Sequence, residues 1–108
     1  MTTAVIELVT YKLKVGIEKS QHDASHQKIN AFCQQQPGFL YRSISEDASG
    51  VFHDIVYWQD MAAATQASTA FEQSPLCSSL MALTDPESVK VQHMPVIAEV
   101  LSCQSEPA

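Results

Sequence analysis

The stretch Val51-Phe52-His53-Asp54-Ile55-Val56-Tyr57-Trp58-Gln59 decides the fold. Its β-branched and aromatic residues mark a strand, and a strand turns successive side chains to opposite faces. Val51, Ile55 and Tyr57 therefore share one face, while Phe52, Val56 and Trp58 share the other. Neither set suits water, so the sheet that holds this strand needs cover on both sides.

Outward from this strand the elements alternate. Upstream, Phe39 to Glu46 reads as a partner strand, joined through Asp47-Ala48-Ser49-Gly50 as a hairpin turn. Before it, residues from Glu18 to Gln36 lack Gly and Pro until Pro37-Gly38, which predicts one helix with Ile29, Phe32 and Cys33 on its buried stripe. Val5 to Val15 (VIELVTYKLKV) reads as the first strand, stopped by Gly16. Downstream, Asp60 is a good N-cap for an alanine-rich helix to about Gln73, and a short helical piece from Leu76 to Leu83 follows Ser74-Pro75. After Asp85-Pro86, Ser88 to Leu101 reads as a last strand, in which Pro95 cannot donate to a ladder and so predicts an edge or a bulge.

The order is βαββαβ, an α+β chain with an antiparallel four-stranded sheet and two helices, too few to cover both faces. If the helices take one face, the simplest cover for the other is the same face of a second copy, giving a homodimer. The 108 residues leave room for one domain, expected over residues 4–101, with a disordered tail over 102–108.

Composition narrows the function classes. Six basic against twelve acidic residues give a formal charge of −6, and without a Lys/Arg cluster neither nucleic acid nor an anionic membrane is an expected partner. No apolar run approaches the ~18 residues that cross a bilayer. Cys33, Cys77 and Cys103 are odd in number and far apart, which suits a reducing cytoplasm better than a disulfide framework. With three glycines in the chain, a phosphate-cradling loop and a dinucleotide fingerprint are both missing.

Four segments carry a family resemblance: Tyr11-Lys12-Leu13-Lys14-x-Gly16, Gln36-Pro37-Gly38-Phe39, Asp54-Ile55-Val56-x-Trp58 and Asp85-Pro86-x-Ser88-Val89. In this order they resemble the dimeric α+β barrels of the antibiotic biosynthesis monooxygenase type, over roughly Val5 to Val100. The resemblance implies a ferredoxin-like subunit, two of which join their sheets, with a ligand cavity between each sheet and its own helices. The motifs mark turns and core positions, so they speak for fold more than for chemistry. Members include cofactor-independent monooxygenases of phenolic compounds, haem-degrading enzymes, isomerases and proteins without known activity. The haem-degrading branch places a histidine at the end of the second helix. Here no histidine stands between His53 and His93, and Cys77 and Met81 occupy that region, so no cofactor is expected.

The candidate residues follow. His22 and His26, four apart, share one face of the first helix with Ile29 and Phe32. They form either a polar patch at the cavity mouth, with His22 as a base, or a half-exposed helix end; a metal reading would need Asp54 or Glu7 as third ligand, and no metal is expected. His93, next to the irregularity at Pro95, is either a base that takes a phenolic proton near neutral pH or a structural histidine of the dimer interface. Trp58 is a cavity wall or a core anchor whose indole N–H needs a partner. Asp54 is either a carboxylate in apolar surroundings or the partner of Arg42 on the neighbouring strand. Tyr11 belongs with Tyr41 and Tyr57 as a phenol able to hydrogen-bond a ligand. Ala62 to Ala64, Ala67 and Ala70 let the second helix approach the sheet or leave room beneath it, with Phe71 as its large anchor. The reading is a barrel that binds a small hydrophobic or aromatic molecule and oxidises it without a cofactor, or a non-catalytic ligand-binding or stress-related dimeric barrel that holds such a ligand without transforming it.

Overall fold

A computed structural model describes residues 3–100. The elements run β1 (Val5–Tyr11), α1 (Lys19–Asp23), α2 (His26–Gln34), β2 (Phe39–Glu46), β3 (Phe52–Trp58), α3 (Met61–Glu72), α4 (Pro75–Leu83), a 3-10 turn (Pro86–Ser88) and β4 (Lys90–Pro95). The strands form one antiparallel sheet in the order β2-β3-β1-β4, the ferredoxin-like arrangement expected. The expected tail lies outside the described residues.

Three boundaries differ from the sequence reading. The first helix is broken: α1 ends at Asp23 with Ala24 as its C-cap, and Ser25 turns back through its Oγ–H to the His22 carbonyl oxygen (2.6 Å). A serine whose hydroxyl competes for backbone carbonyls favours such an interruption. β1 ends at Tyr11 instead of Val15, with a single further bridge from Leu13 to Thr84. β4 stops at Pro95, because only one more ladder bond, Val96 N–H to the Ala4 carbonyl oxygen (2.8 Å), remains before β1 runs out. Pro95 lies on the edge strand, where its missing donor is tolerated.

The start of α3 is fixed by Asp60, whose carboxylate accepts from the Ala63 N–H at 2.8 Å. Gly38 explains the Pro37-Gly38 stop. It sits at φ +83°, and a Cβ there would lie 2.6 Å from the Cβ of Ala63. The alanines of α3 therefore serve a close approach at this end of the helix, and Ala63, Ala64 and Ala67 join Val5, Val56 and Trp58 in the core.

Strand register assigns the faces. Opposite pairs such as Glu7 with Val56 and with His93, or Val9 with Asp54, put Val5, Glu7, Val9, Tyr11, Asp54, Val56, Trp58, Arg42 and His93 on the side of the helices. The other side carries Ile6, Leu8, Ile55 and Tyr57, all half-buried, with Tyr41 and Met94 exposed.

Candidate functional site

The inward row of β1 explains where a cavity arises. Toward the N-terminal end of α3, Ala63 lies close against Gly38 at the sheet; further along, the small side chains of Ala67 and Ser68 leave room beside them. A cavity of about 370 Å³ remains between the sheet, α2, α3 and α4. Its walls are mostly apolar, and Val91 and Met81, 53% and 39% exposed, mark where it opens. Phe32 and Phe71 meet edge to face within the lining, ring centroids 5.6 Å apart. A second depression on the outward side of α3, lined by Met61, Ala62 and Thr65 among others, lies open to solvent and holds no titratable group.

Two polar centres face into the apolar cavity. The first gathers around Glu7. Its carboxylate accepts from the Trp58 indole N–H at 3.2 Å and from the Ser68 hydroxyl at 3.0 Å, and it lies 3.6 Å from His93 Nε2. Ser68 Oγ is also 3.4 Å from His93 Nε2. Trp58 is 2% exposed and packs edge to face on Phe39, so it is wall and core anchor together. The indole donor that needed a partner has found Glu7, the residue that sequence reasoning considered only as a metal ligand. The signal was available: Glu7 is the one charged residue on the inward parity of β1, between Val5 and Val9. Ser68 gave no sequence signal, since a serine on an alanine-rich helix reads as a small residue.

The second centre is the Asp54–Arg42 pair. The guanidinium forks onto the carboxylate, Nε to Oδ1 at 3.1 Å and Nη2 to Oδ2 at 2.8 Å, and Nη1 donates to Asn30 Oδ1 at 2.6 Å. Asp54 is thus the partnered carboxylate of the two readings. The fork cross-links β2 and β3 and fixes both side chains.

Tyr11 adjoins this pair and also lines the cavity. Burial raises its phenol well above the ordinary tyrosine value, with the Asp54 charge adding to the shift and Arg42 opposing it. Its hydroxyl lies 2.5 Å from His22 Nε2. His22 does not line the cavity. It is fully buried behind Tyr11, packed between Phe52 (tilted, centroids 4.3 Å apart) and His26 (edge to face, 4.5 Å), so it reaches a ligand only through the tyrosine. His26 stays beside His22 and likewise outside the lining, where the break after α1 carries it. Burial, and next the neighbouring His26, lowers the His22 pKa; burial, and next Arg42, lowers that of His26. Both shifts favour the neutral rings. Cys33 and Cys77 also line the cavity, and burial pushes both thiols up, Cys33 to about 11. Neither is a ready nucleophile.

The structure therefore brings Trp58, His93, Asp54, Phe71 and Tyr11 onto one cavity and leaves His22 and His26 behind its wall. Among the described residues no helix is long and apolar enough to cross a membrane.

No protein-family model matches the chain, and no curated protein matches its sequence. Solved structures match its fold. A variant of SnoaB from Streptomyces nogalater, a cofactor-independent oxygenase, aligns with a TM-score of 0.70 at 18% identity over 93% of this chain and 97% of that one. The ActVA-Orf6 monooxygenase of Streptomyces coelicolor, solved with the ligand nanaomycin D, aligns with a TM-score of 0.71 at 18% identity over 93% of each chain. A candidate antibiotic biosynthesis monooxygenase from Caulobacter crescentus gives 0.72 at 10% identity, over 90% of this chain and 92% of that one. At such identities the likeness is one of fold.

Proposed function

We propose, from the premise that the chain has the α+β fold of the antibiotic biosynthesis monooxygenases, that its cavity binds a small phenolic aromatic molecule and promotes its oxidation by dioxygen. The observation that carries this is the Glu7–His93 pair, 3.6 Å apart at the wall of an otherwise apolar cavity. A volume of about 370 Å³ lies within the range of ~300–1,000 Å³ that small-molecule sites occupy. Apolar walls with two aromatic edges select a flat ring system, and a few fixed polar groups orient it.

The chemistry assigned to the chain is proton handling. Taking the proton from a phenol makes the ring electron-rich enough to give electrons to dioxygen. The His93 imidazole accepts that proton, and the Glu7 carboxylate, 3.6 Å from its Nε2, stabilises the imidazolium that forms. For an activated ring methylene, one methylene group and one dioxygen molecule give one ring carbonyl and one water. One oxygen atom enters the carbonyl, the other leaves as water with both methylene hydrogens, and dioxygen is the oxidant. Ser68 and Trp58 hold Glu7 in place, and Tyr11, its hydroxyl bonded to His22, forms part of the wall against which the ligand lies.

The same cavity serves a second reading, binding without turnover, favoured by the engagement of Glu7 with Trp58 and Ser68 before any ligand arrives. One experiment separates the two. Oxygen consumption is followed with a hydroxylated anthrone, alongside equilibrium binding of the corresponding quinone. Turnover that falls roughly 10²–10⁴-fold in His93→Ala, with quinone binding kept, supports the base. Binding without oxygen uptake in the wild-type protein establishes the non-catalytic reading.

The homodimer belongs to the same proposal. Ile6, Leu8, Ile55 and Tyr57 make an apolar sheet face opposite the helices, and the face of a second copy is its natural complement.

A further inference from the structure

The break between α1 and α2 assembles a cluster outside the cavity. A ring nitrogen of His22, a ring nitrogen of His26 and a carboxylate oxygen of Asp23 all lie within 4.8 Å of one another. His22 is fully buried, and its Nε2 is committed to the Tyr11 hydroxyl. The Nδ1 atoms of both histidines are buried without a hydrogen-bond partner among the described residues. A histidine that served only to fill space between Tyr11 and Phe52 would leave its Nδ1 at a loss, and the His26 ring, its centroid 4.5 Å away, adds a second imidazole with an unmet nitrogen.

We propose that His22, Asp23 and His26 form a binding site for a divalent first-row transition-metal ion, zinc or cobalt in class. Two imidazoles and a carboxylate are a donor set for such ions, with a fourth position left to water. An ion about 2.0–2.1 Å from each donor needs them about 3.4 Å apart. The Asp23 side chain, 72% exposed and already 3.8 Å from His26 Nε2, is free to close that distance. Since His22 Nε2 is bonded to Tyr11, the free Nδ1 is the nitrogen that meets the ion, and Nε2 then carries the proton and donates to the Tyr11 oxygen. The ion would thereby turn the Tyr11 hydroxyl proton toward the cavity.

The test is a titration of tag-free protein with Co²⁺, read by its visible ligand-field absorption and by tyrosine near-ultraviolet difference absorption, followed by displacement with Zn²⁺. The expected result is one Co²⁺ per chain, with affinity lowered at least about tenfold in both His26→Ala and Asp23→Asn. Asp23 is exposed and His26 half-buried at the helix break, and circular dichroism checks that both variants keep the fold. His53→Ala, which removes the separate His53–Asp47 pair, keeps full affinity. The tyrosine signal changes with occupancy in the wild-type protein and not in Tyr11→Phe. Failure to bind one equivalent at about 1 mM Co²⁺, or affinity unchanged in both site variants, overturns the proposal, and in that case ordered water satisfies the two nitrogens.

Discussion

Glu7 shows how much a single residue decides. A carboxylate on the inward row of β1 has to be partnered, and it collects the Trp58 indole, the Ser68 hydroxyl and the His93 ring at the cavity wall. Sequence reading placed Trp58 and Asp54 on one face through strand parity, because period-two alternation is visible in a line of letters, whereas Tyr11 was named only together with Tyr41 and Tyr57 for its phenol. It did not reach Ser68, since which face of α3 meets the cavity depends on how the helix settles on the sheet. Nor did it see His22 pass behind Tyr11, which follows from the break at Ser25. Cys33 makes a measurable case at this scale. Its thiol ionises near 9 in an unfolded chain and is pushed up to about 11 by burial. Between these values the unfolded chain has lost a proton that the folded one keeps, so stability must fall as pH rises through this window. Denaturant unfolding from pH 8 to 11 should show a loss of about 1–2 kcal/mol from this group, and Cys33→Ala should make the slope shallower.

At the scale of elements, the two ends of α3 do different things. Its N-terminal alanines let it touch the sheet at Gly38, while Ala67 and Ser68 hold the space open further on. Both outcomes were foreseen for an alanine-rich helix, and the position of Gly38 opposite Ala63 shows where each applies. Gly38→Ala combines a left-handed backbone that side chains disfavour with a Cβ that collides with Ala63. A loss of about 2–4 kcal/mol in denaturant unfolding is expected, with the cavity left intact in any folded fraction. The Asp60 cap and the Asp47 turn, where the carboxylate accepts from the Ser49 and Val51 N–H groups, were legible because capping and turn chemistry are local. The end of β4 was not, because it depends on where β1 gives out.

For the whole molecule, the βαββαβ order and the apolar character of both sheet faces were readable before any coordinates, and the sheet order β2-β3-β1-β4 agrees with them. The helices take one face. The dimer proposed for the other is checked by native mass spectrometry at micromolar concentration: a dimer is expected for the wild type and a monomer for Tyr57→Asp, whose charge would be buried unpaired between the sheets. A wild-type monomer would remove the proposed partner.

The central claim is that the cavity between sheet and helices receives an aromatic molecule, and the protein carries its own reporter there. Trp58 is the only tryptophan in the chain and lines that cavity. Titrating the protein with a hydroxynaphthoquinone while following tryptophan fluorescence should give saturable quenching at one ligand per chain, and Ala67→Phe, which fills the cavity, should abolish it. Quenching that never saturates, or that is identical in Ala67→Phe, would place the ligand elsewhere and contradict the account.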